Sequence, residues 1–210
     1  PPEQSLEWSD TAVEGAFRFL KRLWRLVAVH VALGSVGALD HERLDADQKA
    51  LRRRVHETIG KVNDDVGRRY TFNTAIAAVM ELCNHLGRFG DRSVQGRAIM
   101  QEALDAVVLL LAPIVPHIAE SLWSGLGHAG LVAESAWPAV DPAALARSEI
   151  GIVVQVNGKR RANLSVPAGA GETEIKQWAL RDDNVRRYTE GHGIRHVVVV
   201  PGRLINIVVD

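Results

Sequence analysis

Apolar side chains recur every three or four residues through the first 126 positions and alternate with polar ones through most of the last stretch, so the chain changes its hydrophobic period once. In the first part, residues 10 to 33 set Val13, Phe17, Leu20, Trp24, Val27 and Val31 at spacings of four and three, a stripe along one helix, and Thr11-Ala-Val-Glu14 has the form of a capping box at its start. A second helix is predicted over about 46 to 69, with Leu51, Val55, Ile59, Val62 and Val66 on one face and Asp45 as N-cap. Thr71-Phe-Asn-Thr74 breaks the chain before a third helix, 73 to 88, which carries Ile76, Val79, Cys83 and Leu86 and ends at Gly87 and Gly90. A fourth, Ser93 to Leu111, finishes in Val107-Val-Leu-Leu-Leu-Ala112, apolar all round and therefore buried. Pro113 and Pro116 force a kink or a restart, and Ile118 to Leu126 resumes as a short helix.

Helices of this length on short connections predict antiparallel packing, so residues 1–126 read as a helical bundle. From 127 to 148 the pattern dissolves into Gly, Ala, Pro and isolated apolar residues, a linker or wrapping loop. Residues 149–210 follow another period. Ile152 to Val156 and Leu164 to Val166 flank Asn157-Gly158, a dipeptide suited to a two-residue hairpin turn because both central residues need positive φ. Helices over Glu172 to Leu180 and Asp182 to Thr189 precede strands Ile194 to Val200 and Leu204 to Val209 around Pro201-Gly202. The expected fold is a mainly α helical bundle followed by a small α+β domain, ββααββ, with a boundary near Ser148.

Composition narrows this picture without changing it. The 210 residues are 47% hydrophobic and 24% charged, and 25 basic residues balance 25 acidic ones, so a nucleic-acid partner would have to be held by local patches. One cysteine, Cys83, excludes an internal disulfide framework and fits a reducing compartment. No apolar run is long enough to cross a bilayer, and the N-terminus lacks a signal-peptide pattern, so the expectation is a non-exported, cytoplasmic protein. The opening Pro1-Pro2-Glu3, without methionine, suggests a processed chain or part of a longer one.

Candidate chemistry is sparse. On the first helix Arg18, Lys21, Arg22 and Arg25 fall within an arc of about 100°, which contains only Glu14 as an acid. Such an arc can follow a phosphate backbone, or it can be solvated surface. Arg52, Arg53 and Arg54 are diluted by Glu57, Asp64 and Asp65 and read as solvated surface. Lys159, Arg160 and Arg161 follow the hairpin turn directly, with Lys159 and Arg161 on one face of the strand and Arg160 on the other if alternation persists.

His192 and His196 straddle Gly193 at the entry to a strand, where a zinc pair spaced in this way would need a helix. Cys83 lies on an apolar face without a neighbouring base and reads as a structural thiol. Ala168-Gly-Ala-Gly171 lacks both the third glycine of a dinucleotide loop and the lysine of a P-loop. No nucleophile elbow, metalloprotease motif or paired-carboxylate site is present, so no catalytic residue, cofactor or metal is expected in this chain.

Several strings resemble the C-terminal portion of bacterial leucyl-tRNA synthetases. Pro2-Glu-Gln, Leu6-Glu-Trp-Ser and Arg18-Phe-Leu-Lys-Arg-Leu-Trp-Arg-Leu-Val27 are similar to the opening of their helical tRNA-binding domain. Val55-His-Glu-Thr-Ile59, Arg69-Tyr-Thr-Phe-Asn-Thr-Ala-Ile-Ala77, Ala112-Pro-Ile-Val-Pro-His-Ile-Ala119 and Ala136-Trp-Pro138 continue the resemblance in order. Helical features alone are shared with isoleucyl, valyl and methionyl enzymes. The tail discriminates: Val154-Gln-Val-Asn-Gly-Lys159, Arg161 and Val198-Val-Val-Pro-Gly-Arg-Leu-Ile-Asn-Ile-Val208 resemble the C-terminal domain of the leucyl family.

The resemblance implies a monomeric ligase that uses ATP to join leucine to its tRNA. The catalytic signatures of the class are absent here, so the chain alone is expected to bind leucine tRNA without catalysis and without a cofactor, beside catalytic and editing domains of the same polypeptide. It implies that the bundle lies along the inner side of the tRNA and that the small domain reaches the corner where D and T loops meet. Arg18, Lys21, Arg22 and Arg25 are the helical candidates for tRNA contact; Lys159, Arg161, Arg195 and Arg203 are the terminal ones. Asn163 and His196 stand where the family often has a basic residue, and Arg160 falls outside its pattern. An isoleucyl or valyl counterpart, or a helical protein-interaction module, is the alternative.

Overall fold

A computed structural model describes residues 8–146 and 149–210, and the chain divides between Leu145 and Ala146 into two compact units. The strings Pro2-Glu-Gln and Leu6-Glu, and the expected boundary at Ser148, lie outside the described residues.

The first unit is built on five helices: α1 (Asp10–Ala32), α2 (Ala46–Gly67), α3 (Phe72–Leu86), α4 (Val94–Leu111) and α5 (Pro116–Gly125). Their starts follow from local chemistry. Asp45 and Gln48 make a reciprocal capping box on α2, Ser93 accepts from the Gly96 N–H on α4, and Pro116 sits in the first turn of α5 where its missing N–H costs nothing. The capping box expected at Thr11 and Glu14 does not form. Ser9 caps α1 instead, accepting from the Ala12 N–H, so Thr11 lies inside the helix.

The α1 stripe also needs correction. Phe19, Leu23, Val27 and His30 are the buried positions, whereas Val13, Phe17, Trp24 and Val31 are exposed. The helix is apolar on two adjoining arcs, and both satisfy the same period. The core closes on Val55, Ile59, Val62, Val79, Leu82, Leu86 and the all-round apolar end of α4.

Two polar hubs tie the bundle. Asp65 is fully buried and accepts from Lys61 Nζ at 2.7 Å, Arg69 Nη1 at 3.0 Å and Thr71 Oγ1 at 3.2 Å. The hydrogen bond from Lys61 leads in holding its carboxyl below the ordinary aspartate range. This hub locks the α2–α3 turn, in which Tyr70 takes φ 53° and projects outward.

The second hub overturns the reading of Arg52 as solvated surface. Only 6% exposed, Arg52 meets Glu102 of α4 through Nε and Nη2 at 3.0 to 3.1 Å and Asp141 through Nη2 at 2.7 Å. His56 accepts the Asp141 N–H at Nδ1, 3.0 Å away, so its Nε2–H faces Glu102. Asp141 opens the short helix α6 (Pro142–Leu145). Upstream, Val132 is buried and the Trp137 indole donates to Asn63, so the expected wrapping loop is pinned to the bundle.

The second unit runs β1 (Glu149–Val156), β2 (Lys159–Pro167), α7 (Glu172–Arg181), α8 (Asp183–Thr189), β3 (Ile194–Val200) and β4 (Leu204–Val209), the expected ββααββ order. Its sheet order is β2-β1-β4-β3, with parallel β1 and β4 in the centre and an antiparallel hairpin on either side. One face packs Ile152, Val154, Val156, Ile205, Ile207 and Val209 against Ile175, Ala179 and Val185 of the two helices. Asn157 at φ 49° and Gly158 at φ 76° form the β1–β2 turn.

Candidate nucleic-acid interface

Arg18, Lys21, Arg22 and Arg25 are all exposed, and helical periodicity sets them within an arc of about 100° on the side of α1 opposite Leu23. Glu14 is the single acid in that arc, and its ion pair with Arg18 is 3.6 Å long between two well-exposed side chains, a contact of little strength. Lys21 Nζ lies 4.4 Å from the centre of the Phe17 ring, which keeps the ammonium at the rim of the arc. Arg22 faces α3, where its charge opposes the burial that pushes the Cys83 thiol up to about 12. A thiol held that far from ionisation is structural, not nucleophilic.

In the second unit the candidates separate. Lys159 stands opposite Val156, whose side chain enters the core, so Lys159 emerges on the helix-covered face; Arg160 stands opposite Gln155 on the other face. Alternation from Lys159 brings Arg161 back to the helix-covered face, and a bulge opposite Val154 and Gln155 leaves it without a paired residue on β1, so that Ala162, opposite Val154, turns to the same face. There the Arg161 guanidinium lies 3.6 Å from the centre of the Tyr188 ring of α8, with Nε buried and without a hydrogen-bond partner among the described residues. The expected division of the three cations therefore holds.

Arg195 lies at the same end of the sheet, after Ile194 opposite Val209, but it donates to the Asp210 carboxylate. Arg203 does not join them. It precedes Leu204, which pairs with Val153 and Val200, at the far end of β4 and about 20 Å along the strand from Val209. Asn163 and His196 pair with Val153 and Val208 and lie with Arg160 on the face away from α7 and α8.

Tyr188 is the participant that sequence reasoning passed over. Its signal was the run Arg186-Arg187-Tyr188 in a short helix, but nothing local announces that α8 sets this ring against an arginine of the strand two elements earlier. Among the described residues, no group of three or more His, Cys, Asp or Glu side chains could hold a metal, His192 and His196 included. No helix among them is long and apolar enough to cross a membrane.

The described residues thus combine a helical bundle bearing a one-sided cationic arc on α1 with a small α+β unit that carries Lys159, Arg161 and Arg195 at one end of its sheet. Residues 48–176 match the family described as anticodon-binding domain of tRNA ligase, and the chain belongs to that family. More particularly, it is 60% identical over 209 residues to the leucine–tRNA ligase of Thioalkalivibrio sulfidiphilus and 60% identical over 210 residues to that of Chromohalobacter salexigens.

All of this chain aligns in both comparisons, yet it spans only 26% and 24% of those proteins. Among solved structures it is similar to the LeuRS–tRNA–LeuAMS ternary complex from Agrobacterium radiobacter K84, with 30% identity and TM-score 0.79 over 98% of this chain and 26% of that one. These relatives do not favour an isoleucyl or valyl counterpart or an unrelated interaction module.

Proposed function

We propose that the chain is the tRNA-holding portion of a leucine–tRNA ligase. It binds leucine tRNA, while ATP-dependent activation and transfer of leucine take place in parts of the longer polypeptide outside it, the catalytic and editing domains. The observation that carries this reading is the α1 arc: four exposed cations on one side of one rigid helix, with a single weakly paired acid. The phosphate backbone attracts such an arc regardless of sequence.

Lys159 and Arg161 add a second contact region, in which the Tyr188 ring holds Arg161 flat and ready to lie against a base or a phosphate. Arg195 and Arg203 are weaker members, the first shared with Asp210 and the second displaced to the other end of the sheet. The working functional divisions are 1–126 for the bundle, 127–148 for the connecting loop and 149–210 for the terminal unit. The longer protein is proposed to act in the cytoplasm as a monomer, with no cofactor bound by this portion.

Electrophoretic retardation of leucine tRNA by the chain tests the proposal. The affinity is expected to fall steeply as salt rises, because each neutralised phosphate releases counterions. Absence of retardation at low salt, or salt-independent retardation, would sink it. Removing residues 149–210 from the longer enzyme should impair leucine transfer to tRNA while sparing leucine activation, since anchoring a distant part of the tRNA acts by orientation. Equal loss of both steps would contradict that separation.

A further inference from the structure

Side chains around α1 fall into three arcs. With Leu23 as zero and about 100° per residue, the buried Phe19, Leu23, Val27 and His30 span about 80° centred near zero. The cations lie opposite. Between the two, within about 40°, stand Val13, Phe17, Trp24 and Val31 at spacings of four, seven and seven. Their exposures are 46%, 55%, 50% and 41%, so a continuous file of large apolar side chains faces outward from one helix. Isolated exposed apolar residues are ordinary, but an aligned file of them marks an interaction surface.

The chemistry of the file favours protein over nucleic acid. Bases stack on aromatic or guanidinium planes, and two of the four members are valines, which offer no plane. Its dimensions further narrow the occupant. From Val13 to Val31 the file runs about 27 Å and is one helix wide, a few hundred Å² at most. A freely diffusing partner needs about 800 Å² on each side. A surface attached through the same polypeptide needs far less, because tethering supplies a high effective concentration. The relatives carry such additional chain, since this one spans about a quarter of their length (26% and 24%).

We propose that the file Val13, Phe17, Trp24 and Val31 is the docking face for an apolar surface of the remaining part of the same polypeptide. This rests on the reading of the chain as one portion of a longer tRNA ligase. Docking on this arc leaves Arg18, Arg22 and Arg25 open, with Lys21 at its edge against the Phe17 ring, and fixes the direction in which α1 presents them, so the file acts as a positioning surface for the basic arc.

Hydroxyl-radical footprinting read by mass spectrometry at Phe17 and Trp24 tests the proposal, comparing the longer enzyme without tRNA to the 210-residue chain. Both residues are expected to react several-fold more slowly in the longer enzyme. Equal reactivity in the two proteins overturns the proposal. So does protection that arises only on adding leucine tRNA, which would make the file a nucleic-acid surface, or concentration-dependent protection in the short chain, which would make it a contact between copies.

Trp24→Ser supplies an independent readout. It should lower the melting temperature of the longer enzyme and leave that of the short chain unchanged; an equal change in both counts against docking. The tRNA reading stands or falls separately. Retardation by the short chain with an unprotected file defeats docking alone, and a protected file without retardation defeats tRNA binding alone.

Discussion

The helical unit and the sheet unit present their cations in contrasting ways. On α1 four basic residues share one arc because a straight helix repeats its directions faithfully, and little in the bundle engages them. In the sheet unit four candidates of the same kind meet four different fates: Lys159 exposed beside the turn, Arg161 stacked on Tyr188, Arg195 paired with Asp210, and Arg203 at the opposite end. A helix turns sequence spacing into spatial grouping. A sheet of mixed topology groups residues by pairing register and bulges, which depend on strands far away in the chain.

Arg52 sharpens the contrast most strongly, since it is an arginine of the helical unit that the fold has withdrawn from use. Arg52→Ala should destabilise the bundle by about 3 kcal/mol, because it strands Glu102 and Asp141 without their partner. Chemical denaturation checks this, and a loss within experimental error would mean that the cluster is solvated in practice.

Next in size is the α1 arc. Arg22→Ala with Arg25→Ala should weaken leucine-tRNA binding across all salt concentrations and lower the magnitude of the log–log salt slope by about 2, without changing the denaturation midpoint. An unchanged slope would remove α1 from the interface and erase the contrast.

Acid should act on the bundle through the Arg52 cluster and the Asp65 hub. Burial alone would raise the Glu102 carboxyl, but hydrogen bonds from His56 and Arg52 outweigh it and hold the group below its ordinary range. Asp141 is lowered chiefly by its bond to Arg52, and Asp65 by its bond to Lys61. Groups whose folded pKa is depressed contribute stability that is present above the unfolded value of about 4 and is lost as pH falls through the folded value. Asp105, raised by burial, works in the opposite direction. Melting temperature should therefore decline below about pH 4, and Arg52→Ala should flatten that decline.

In the sheet unit, Tyr188→Ala should free Arg161 and weaken binding by about 1 kcal/mol, the cost of ordering a released long side chain on binding. Asp210→Asn should give the smallest effect and the opposite sign. Removing the acid beside Arg195 should slightly strengthen binding at low salt and change nothing at high salt. A weakening in that variant would show that the Arg195–Asp210 pair orders the strand end and is not a competitor of phosphate.

Much of the fold was legible because its signals are local. Asp45 with Gln48, Ser93, Pro116 and the Asn157-Gly158 turn each act within a few residues, and the ββααββ order follows from where the period changes. The α1 cations could be grouped for the same reason. Less legible were the features created by distant segments. The α1 core face could not be chosen from spacing, because Val13, Phe17, Trp24 and Val31 satisfy the period as well as Phe19, Leu23 and His30 do. Arg52 looked solvated because its partners lie 50 and 89 residues away.

By itself, then, the sequence determined which segments coil and which extend, where most of them start and stop, and which side chains share a helical arc, since these depend on backbone periods and neighbouring hydrogen bonds. Only the tertiary structure decided which arc of α1 is buried, which arginine is neutralised, and that the Tyr188 ring of α8 lies against Arg161. Those outcomes turn on long-range packing and pairing, where the free energy of a residue is set by groups brought to it by the fold.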